Sequence, residues 1–212
     1  MKNILLLLLM LTNYLMYGQL IWQNVNTGTS CTISVGEFSV WDMTEPTLNG
    51  EELPTGALIG VFFINSSGEY ICGGAETWPG TGSGMIAISP WGDDSTTGDV
   101  QDGFVEGESF NWFVRICDGD CWIDLDGDGV LDDGEVADGT DYYSGNAQMV
   151  PENGQLTGTV YTSNALAGLS SADFTEWNGE EEEEVLSCEC SYGVAFDNGG
   201  VCFILNACSD PL

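Results

Sequence analysis

The sequence predicts an all-β protein: an antiparallel β-sandwich with an inserted EF-hand-like calcium loop and a small cysteine-rich hairpin appendage. Three features carry this expectation. Short runs rich in β-branched and aromatic residues recur, separated by Gly, Asn and Asp. Few stretches show a helical period. Glycine is abundant, at 29 residues, as many tight turns require.

The elements follow in chain order. Met1-Lys2-Asn3 precedes Ile4–Leu11, which is almost pure leucine, and small Gly18 lies beyond polar Asn13. One positive charge, a short apolar core and a small residue predict a secretory signal peptide over 1–18. The apolar run falls far short of the roughly 20 residues that span a bilayer. No later stretch is long enough either, so membrane insertion after signal cleavage is not expected. A sandwich domain over 19–178 follows, with strands expected at Cys31–Val35, Leu58–Ile64, Tyr70–Ala75, Gly84–Ser89, Ser109–Ile116, Ala147–Val150 and Gln155–Tyr161. Leu48-Asn49-Gly50-Glu51 carries an Asn-Gly hairpin turn. Ser66-Ser67-Gly68 should turn the chain between the second and third strands. Phe110, Trp112, Val114 and Ile116 alternate with Asn111, Phe113 and Arg115, as in a strand with one mostly buried face. Ser163–Asp173 is weakly patterned and reads as a short helix or a loop. Glu180–Glu184 marks a solvated acidic linker over 179–187. The segment 188–212 reads as a cysteine-stapled hairpin, with its turn at Asp197-Asn198-Gly199-Gly200.

The strongest chemical signal is the twelve-residue run Asp124–Glu135. Carboxylates stand at positions one, three, five, nine and twelve (Asp124, Asp126, Asp128, Asp132, Glu135), with Gly129 at six. Calcium takes about six to eight hard oxygens, and this spacing lets one loop wrap one ion. Val130 would add a backbone carbonyl, Leu131 would pin the loop to a core, and Glu135 would close the shell. The turn-rich stretch before the loop argues against a flanking helix. The expectation is therefore the loop alone, grafted onto a β-domain as an insertion over 117–139. Asp93, Asp94, Asp99 and Asp102 form a second acidic cluster without that alternation; a second ion or simple turn capping would both account for it.

Composition narrows the function classes. Thirty-four acidic residues face two basic ones, Lys2 and Arg115, and there is no histidine. Nothing neutralises phosphates, so nucleic acid is not an expected partner. Self-repulsion at a net charge of −32 would strain a compact fold, and bound divalent cations or a salty medium would relieve it. Without histidine, a Ser-His-Asp or Cys-His catalytic site is impossible. No carboxylate pair stands out in an apolar setting that would raise a pKa, so an acidic glycoside hydrolase is the least favoured alternative. The expectation is a protein that is not an enzyme. Carbohydrate binding is the stronger alternative: Trp78, in Glu-Thr-Trp-Pro-Gly-Thr-Gly, reads as an exposed ring that could stack on a sugar.

Eight cysteines in an exported chain read as disulfides: Cys31, Cys72, Cys117, Cys121, Cys188, Cys190, Cys202 and Cys208. Cys117 and Cys121 flank a short turn and could pair locally, bracing the calcium loop. A zinc site at Cys188, Cys190, Cys202 and Cys208 competes with disulfides there.

Three stretches resemble a β-sandwich module of type IX-secreted bacterial modular surface proteins. They are Ala57–Phe62 through Cys72, Ile88–Asp94 with its Trp91-Gly92-Asp93-Asp94, and Asp102-Gly103-Phe104 to Glu108 followed by Phe110–Val114. The resemblance covers roughly Thr32–Arg115, with a return strand near Gln155–Tyr161. It implies a structural or binding module without assigned catalysis. The Asp124–Glu135 loop is also similar to the calcium repeats of thrombospondin type 3 and of dockerins, though here it occurs once. Asn206–Leu212 resembles the opening of a short repeat common in the same secreted proteins, so a longer parent chain is expected. Together these features predict a secreted, calcium-binding structural or adhesive module at the cell surface. Its expected partners are calcium and an extracellular glycan or other surface proteins.

Overall fold

The computed structural model describes residues 20–23, 27–98, 100–129, 131–132, 134–156 and 158–177. Twelve strands follow in order: β1 (Leu20–Ile21), β2 (Thr32–Val35), β3 (Thr47–Leu48), β4 (Glu51–Glu52), β5 (Leu58–Ile64), β6 (Tyr70–Thr77), β7 (Ile86–Ile88), β8 (Asn111–Cys117), β9 (Gly139–Tyr143), β10 (Gln148–Met149), β11 (Leu166–Ser171) and β12 (Asp173–Glu176). One 3-10 turn at Ser39–Trp41 is the sole helical element among the described residues. The strands form an eight-stranded sheet, ordered β1-β6-β5-β8-β9-β12-β3-β4, and a four-stranded sheet, ordered β10-β11-β2-β7.

The two sheets share one core. Ile33, Val35, Ile88, Ala167 and Leu169 of the small sheet pack with Ile59, Val61, Phe63, Trp112, Val114 and Phe174 of the large one. The protein is thus the all-β sandwich expected, but its sheets are mixed rather than wholly antiparallel. β1 runs parallel to β6, β11 to β2, and β12 to β3. Parallel neighbours need a long crossover. Here β11 and β12 return from late in the chain to lie beside the early strands β2 and β3.

The large sheet is buried on both faces along its centre. Every residue from Leu58 to Phe63 is buried. Side chains alternate across a strand, so half of these face away from the small sheet. Leu58 and Phe62 join Tyr70, Cys72 and Phe113 in a second, outer core, roofed by Trp22, Cys121 and Leu131. Phe113 therefore departs from the alternation expected around Phe110–Ile116: both faces of β8 carry buried rings.

Two other sequence expectations need correction. Among the described residues of 155–161 no strand forms, and Val160 makes an isolated bridge to Ser109. Turn chemistry wins there: the Asn153 side chain accepts the N–H groups of Gln155 and Leu156, and Gly154 has a φ of 80°. Conversely, Leu166–Ser171, expected as a helix or loop, is a strand. Its small residues suit the site, since a Cβ on Gly168 would sit 3.1 Å from the sulfur of Met43. The Asn49-Gly50 hairpin is present, with φ of 52° and 77° joining β3 to β4. The expected signal peptide, acidic linker and cysteine-rich segment lie outside the described residues.

Candidate metal centre

The acidic loop is the connection of the β8–β9 hairpin, whose last register pair joins Cys117 to Gly139. A disulfide between Cys117 and Cys121 fixes its first turn. Beyond it the two arms stay paired. Ala137 N–H donates to Cys121 O at 2.8 Å, Trp122 bridges to Val136, and Ile123 N–H donates to Glu135 O at 3.1 Å. This neck holds both ends of Asp124–Glu135.

Within the loop, carboxylates organise the backbone. Asp124 accepts the N–H of Gly127 at 2.6 Å and of Gly129 at 3.1 Å. Gly129 has a φ of 74°, which glycine adopts without the steric cost of a Cβ. Asp126 accepts the N–H of Asp128 at 3.2 Å. Glu135 is buried and spans the base of the loop: it accepts Leu125 N–H at 2.7 Å, Asp132 N–H at 3.0 Å and the Trp122 indole N–H at 3.4 Å. Those backbone donors, Leu125 first, hold the Glu135 carboxyl below the usual range. Asp132 moves the other way: burial raises its pKa most, followed by the carboxylates of Asp128, Asp126, Glu135 and Asp124. Leu131 is 2% exposed and anchors the loop in the outer core, as its position in the motif requires.

The structure brings three of the six expected ligands together. One oxygen each of Asp124, Asp126 and Asp128 lies within 4.8 Å of the others. Oxygens sharing a calcium ion at 2.3–2.6 Å stand at most about 5 Å apart, so this donor set fits such an ion. All three are exposed, leaving water access to the remaining positions. Asp132 and Glu135 do not join the mutually close group, and Val130 lies outside the described residues. Glu135 serves here as a strut across the loop base, a role that its place at position twelve does not announce.

The other sequence candidates resolve differently. Trp78 is fully buried in the main core at the end of β6, so it offers no platform to a sugar. The glycine-rich stretch after it suggested an exposed loop, but the ring folds inward. No described Trp is in the exposed class. In the second acidic cluster, Asp93 accepts Asp102 N–H, Asp102 accepts Asp94 N–H, and Asp94 accepts Thr96 N–H. These bonds cap turns. Asp99 is outside the described residues. Gly92 and Gly103 pack backbone to backbone, where a Cβ on Gly103 would come 2.4 Å from the Gly92 carbonyl carbon. The Trp-Gly-Asp-Asp and Asp-Gly-Phe motifs therefore join two loops by close packing. Cys31 and Cys72 are buried free thiols, contrary to the expectation that every cysteine is bridged. They sit in different cores, and burial pushes both thiols up to about 12.

No helix among the described residues is long and apolar enough to cross a membrane. No protein-family model, no curated protein and no solved structure matches the chain.

Proposed function

We propose that this chain is an exported, calcium-stabilised β-sandwich module with a structural or adhesive role at the cell surface. The observation that carries the proposal is the convergence of Asp124, Asp126 and Asp128 within 4.8 Å, inside a loop whose spacing suits one hard cation. All-oxygen donors and the lack of histidine favour calcium over a softer metal. The disulfide at the loop's neck suits an oxidising compartment, which supports export. The resemblance to secreted surface modules supports the same placement.

Physically, the ion would lower the mutual repulsion of six loop carboxylates in a chain of net charge −32. An extracellular-type site binds with a Kd of about 0.1–1 mM. At tenfold excess over Kd, mass action adds about 1.4 kcal/mol of stability. That is useful reinforcement for a marginal domain and suits a constant external calcium level. The proposed role is non-enzymatic: without histidine, neither a Ser-His-Asp nor a Cys-His site can form in this chain.

Isothermal titration with calcium tests the proposal. Wild type should bind one ion at this loop, and Asp124→Ala with Asp128→Ala should abolish that heat. Equal binding by wild type and the double variant would overturn it.

A further inference from the structure

A second set of groups, remote in sequence from the acidic loop, is built like a binding surface. The 3-10 turn Ser39–Trp41 contains no buried residue. Val40, at its centre, is 74% exposed. Trp41 is half-buried, and its ring meets that of half-buried Phe38 edge-on at 4.9 Å and 73°. One aliphatic and two aromatic side chains therefore reach the surface together within residues 38–41.

The turn that carries them is held rigidly. Phe38 N–H donates to Met43 O at 3.1 Å, and Met43 N–H donates back to Phe38 O at 3.2 Å. Met43 is 2% exposed and packs with Val150 and Leu156. From β11, the Ser170 hydroxyl donates to Asp42 O at 3.0 Å, and Ser170 O accepts Thr44 N–H at 2.8 Å. Asp42 closes the turn at φ 52° and ψ 35°, a left-handed conformation that few residues other than glycine adopt. Such conformations cost free energy and cluster at ligand clamps. A surface fixed beforehand loses less entropy when it binds.

The polar groups beside the rings narrow the ligand. Among the described residues, the Trp41 indole N–H has no hydrogen-bond partner, and neither do the side chains of Glu37 and Asp42. Both carboxylates are exposed. One donor between two acceptors calls for a ligand that both accepts and donates, as a sugar hydroxyl does. A cation would leave the indole N–H unmet. An anion would face a chain of net charge −32. The apolar C–H face of a sugar ring suits the negative face of an aromatic ring.

We propose that the Phe38–Asp42 turn binds a neutral glycan, with Trp41 as the stacking platform and Glu37 and Asp42 as acceptors for its hydroxyls. The proposal rests on the adhesive half of the function given above and names its ligand class. None of its residues belongs to the metal loop, so calcium binding and sugar binding can each fail without the other.

The test is calorimetric titration of the full chain with cellohexaose, laminarihexaose, mannohexaose and xylohexaose, and with the cationic hexamer of glucosamine. At least one neutral sugar should bind, and Trp41→Ala should weaken that binding about tenfold. Asp42→Asn, which keeps the left-handed turn, should weaken it about threefold. No binding by any neutral sugar would overturn the proposal, and so would binding of the glucosamine hexamer alone. Wild-type affinity in a folded Trp41→Ala variant would overturn it too; should that variant not fold, wild-type affinity in Asp42→Asn overturns it instead.

Discussion

Leu131→Ala is the perturbation that best separates a loop merely attached to the sandwich from one built into it. Leu131 is 2% exposed and packs in the outer core with Leu58, Phe62 and Phe113. Truncating a buried Leu to Ala costs about 2–5 kcal/mol, from lost transfer energy plus the cavity left behind. The site is a loop anchor that can partly collapse, so the low end applies, about 2–3 kcal/mol. In a domain of this size each kcal/mol moves Tm by about 2–4 °C, giving a fall of about 4–12 °C. Calorimetry reads the shift directly, and urea denaturation should show a lower midpoint with the slope unchanged. The anchor also holds the Asp124–Asp132 backbone in place, so calcium affinity should fall with stability. A Tm within about 1 °C of wild type would refute the reasoning, because surface changes of no consequence give effects of that size.

Other expected outcomes follow from the same geometry. Gly60→Ala should cost about 1–3 kcal/mol in urea unfolding, since its methyl would collide with the Trp22 and Phe62 rings. Arg115→Met should cost about 1–3 kcal/mol by the same assay, a figure discounted because the ion pair is partly exposed, at 19% and 15%. Calcium affinity, followed by calorimetry at stepped pH, should weaken on acidification. Asp132, whose pKa is raised by burial and then by neighbouring carboxylates, takes up its proton at a higher pH than a free aspartate does. The Glu135 strut has a lowered pKa, so its stabilising contribution is present above the unfolded carboxylate value of about 4.3 and is lost only at lower pH. Cys31 and Cys72 should resist alkylation in the native protein and react once it is unfolded, as peptide mass spectrometry will show.

The parts of the fold that were legible in the chain are those where local chemistry and tertiary contacts agree. Leu58–Ile64 is an unbroken apolar run and forms a strand over those residues. Its continuity also signals burial on both faces, a property of strands covered on each side. The Asn49-Gly50 turn demands positive φ at both positions, and the structure supplies it. Leu166–Ser171 was not legible because Gly, Ala and Ser carry little β preference. Its strand exists because β2 and β10 flank it and Met43, Val150 and Leu156 crowd its face. At the candidate site, the alternating aspartates were legible from spacing alone. The function of Glu135 as a backbone acceptor was not, because it depends on where the N–H groups of Leu125 and Asp132 point. Trp78 misled for a related reason. Glycine and proline around it signal a turn, and a turn says nothing about which way its ring faces.

The most direct test of the central claim is the melting temperature of the full chain in excess calcium and again in excess chelator. Calcium at about ten times Kd should raise Tm by about 3–6 °C, the equivalent of about 1.4 kcal/mol. The Asp124→Ala, Asp128→Ala variant should show no difference between the two conditions. A wild-type Tm that chelator leaves unchanged would contradict the account.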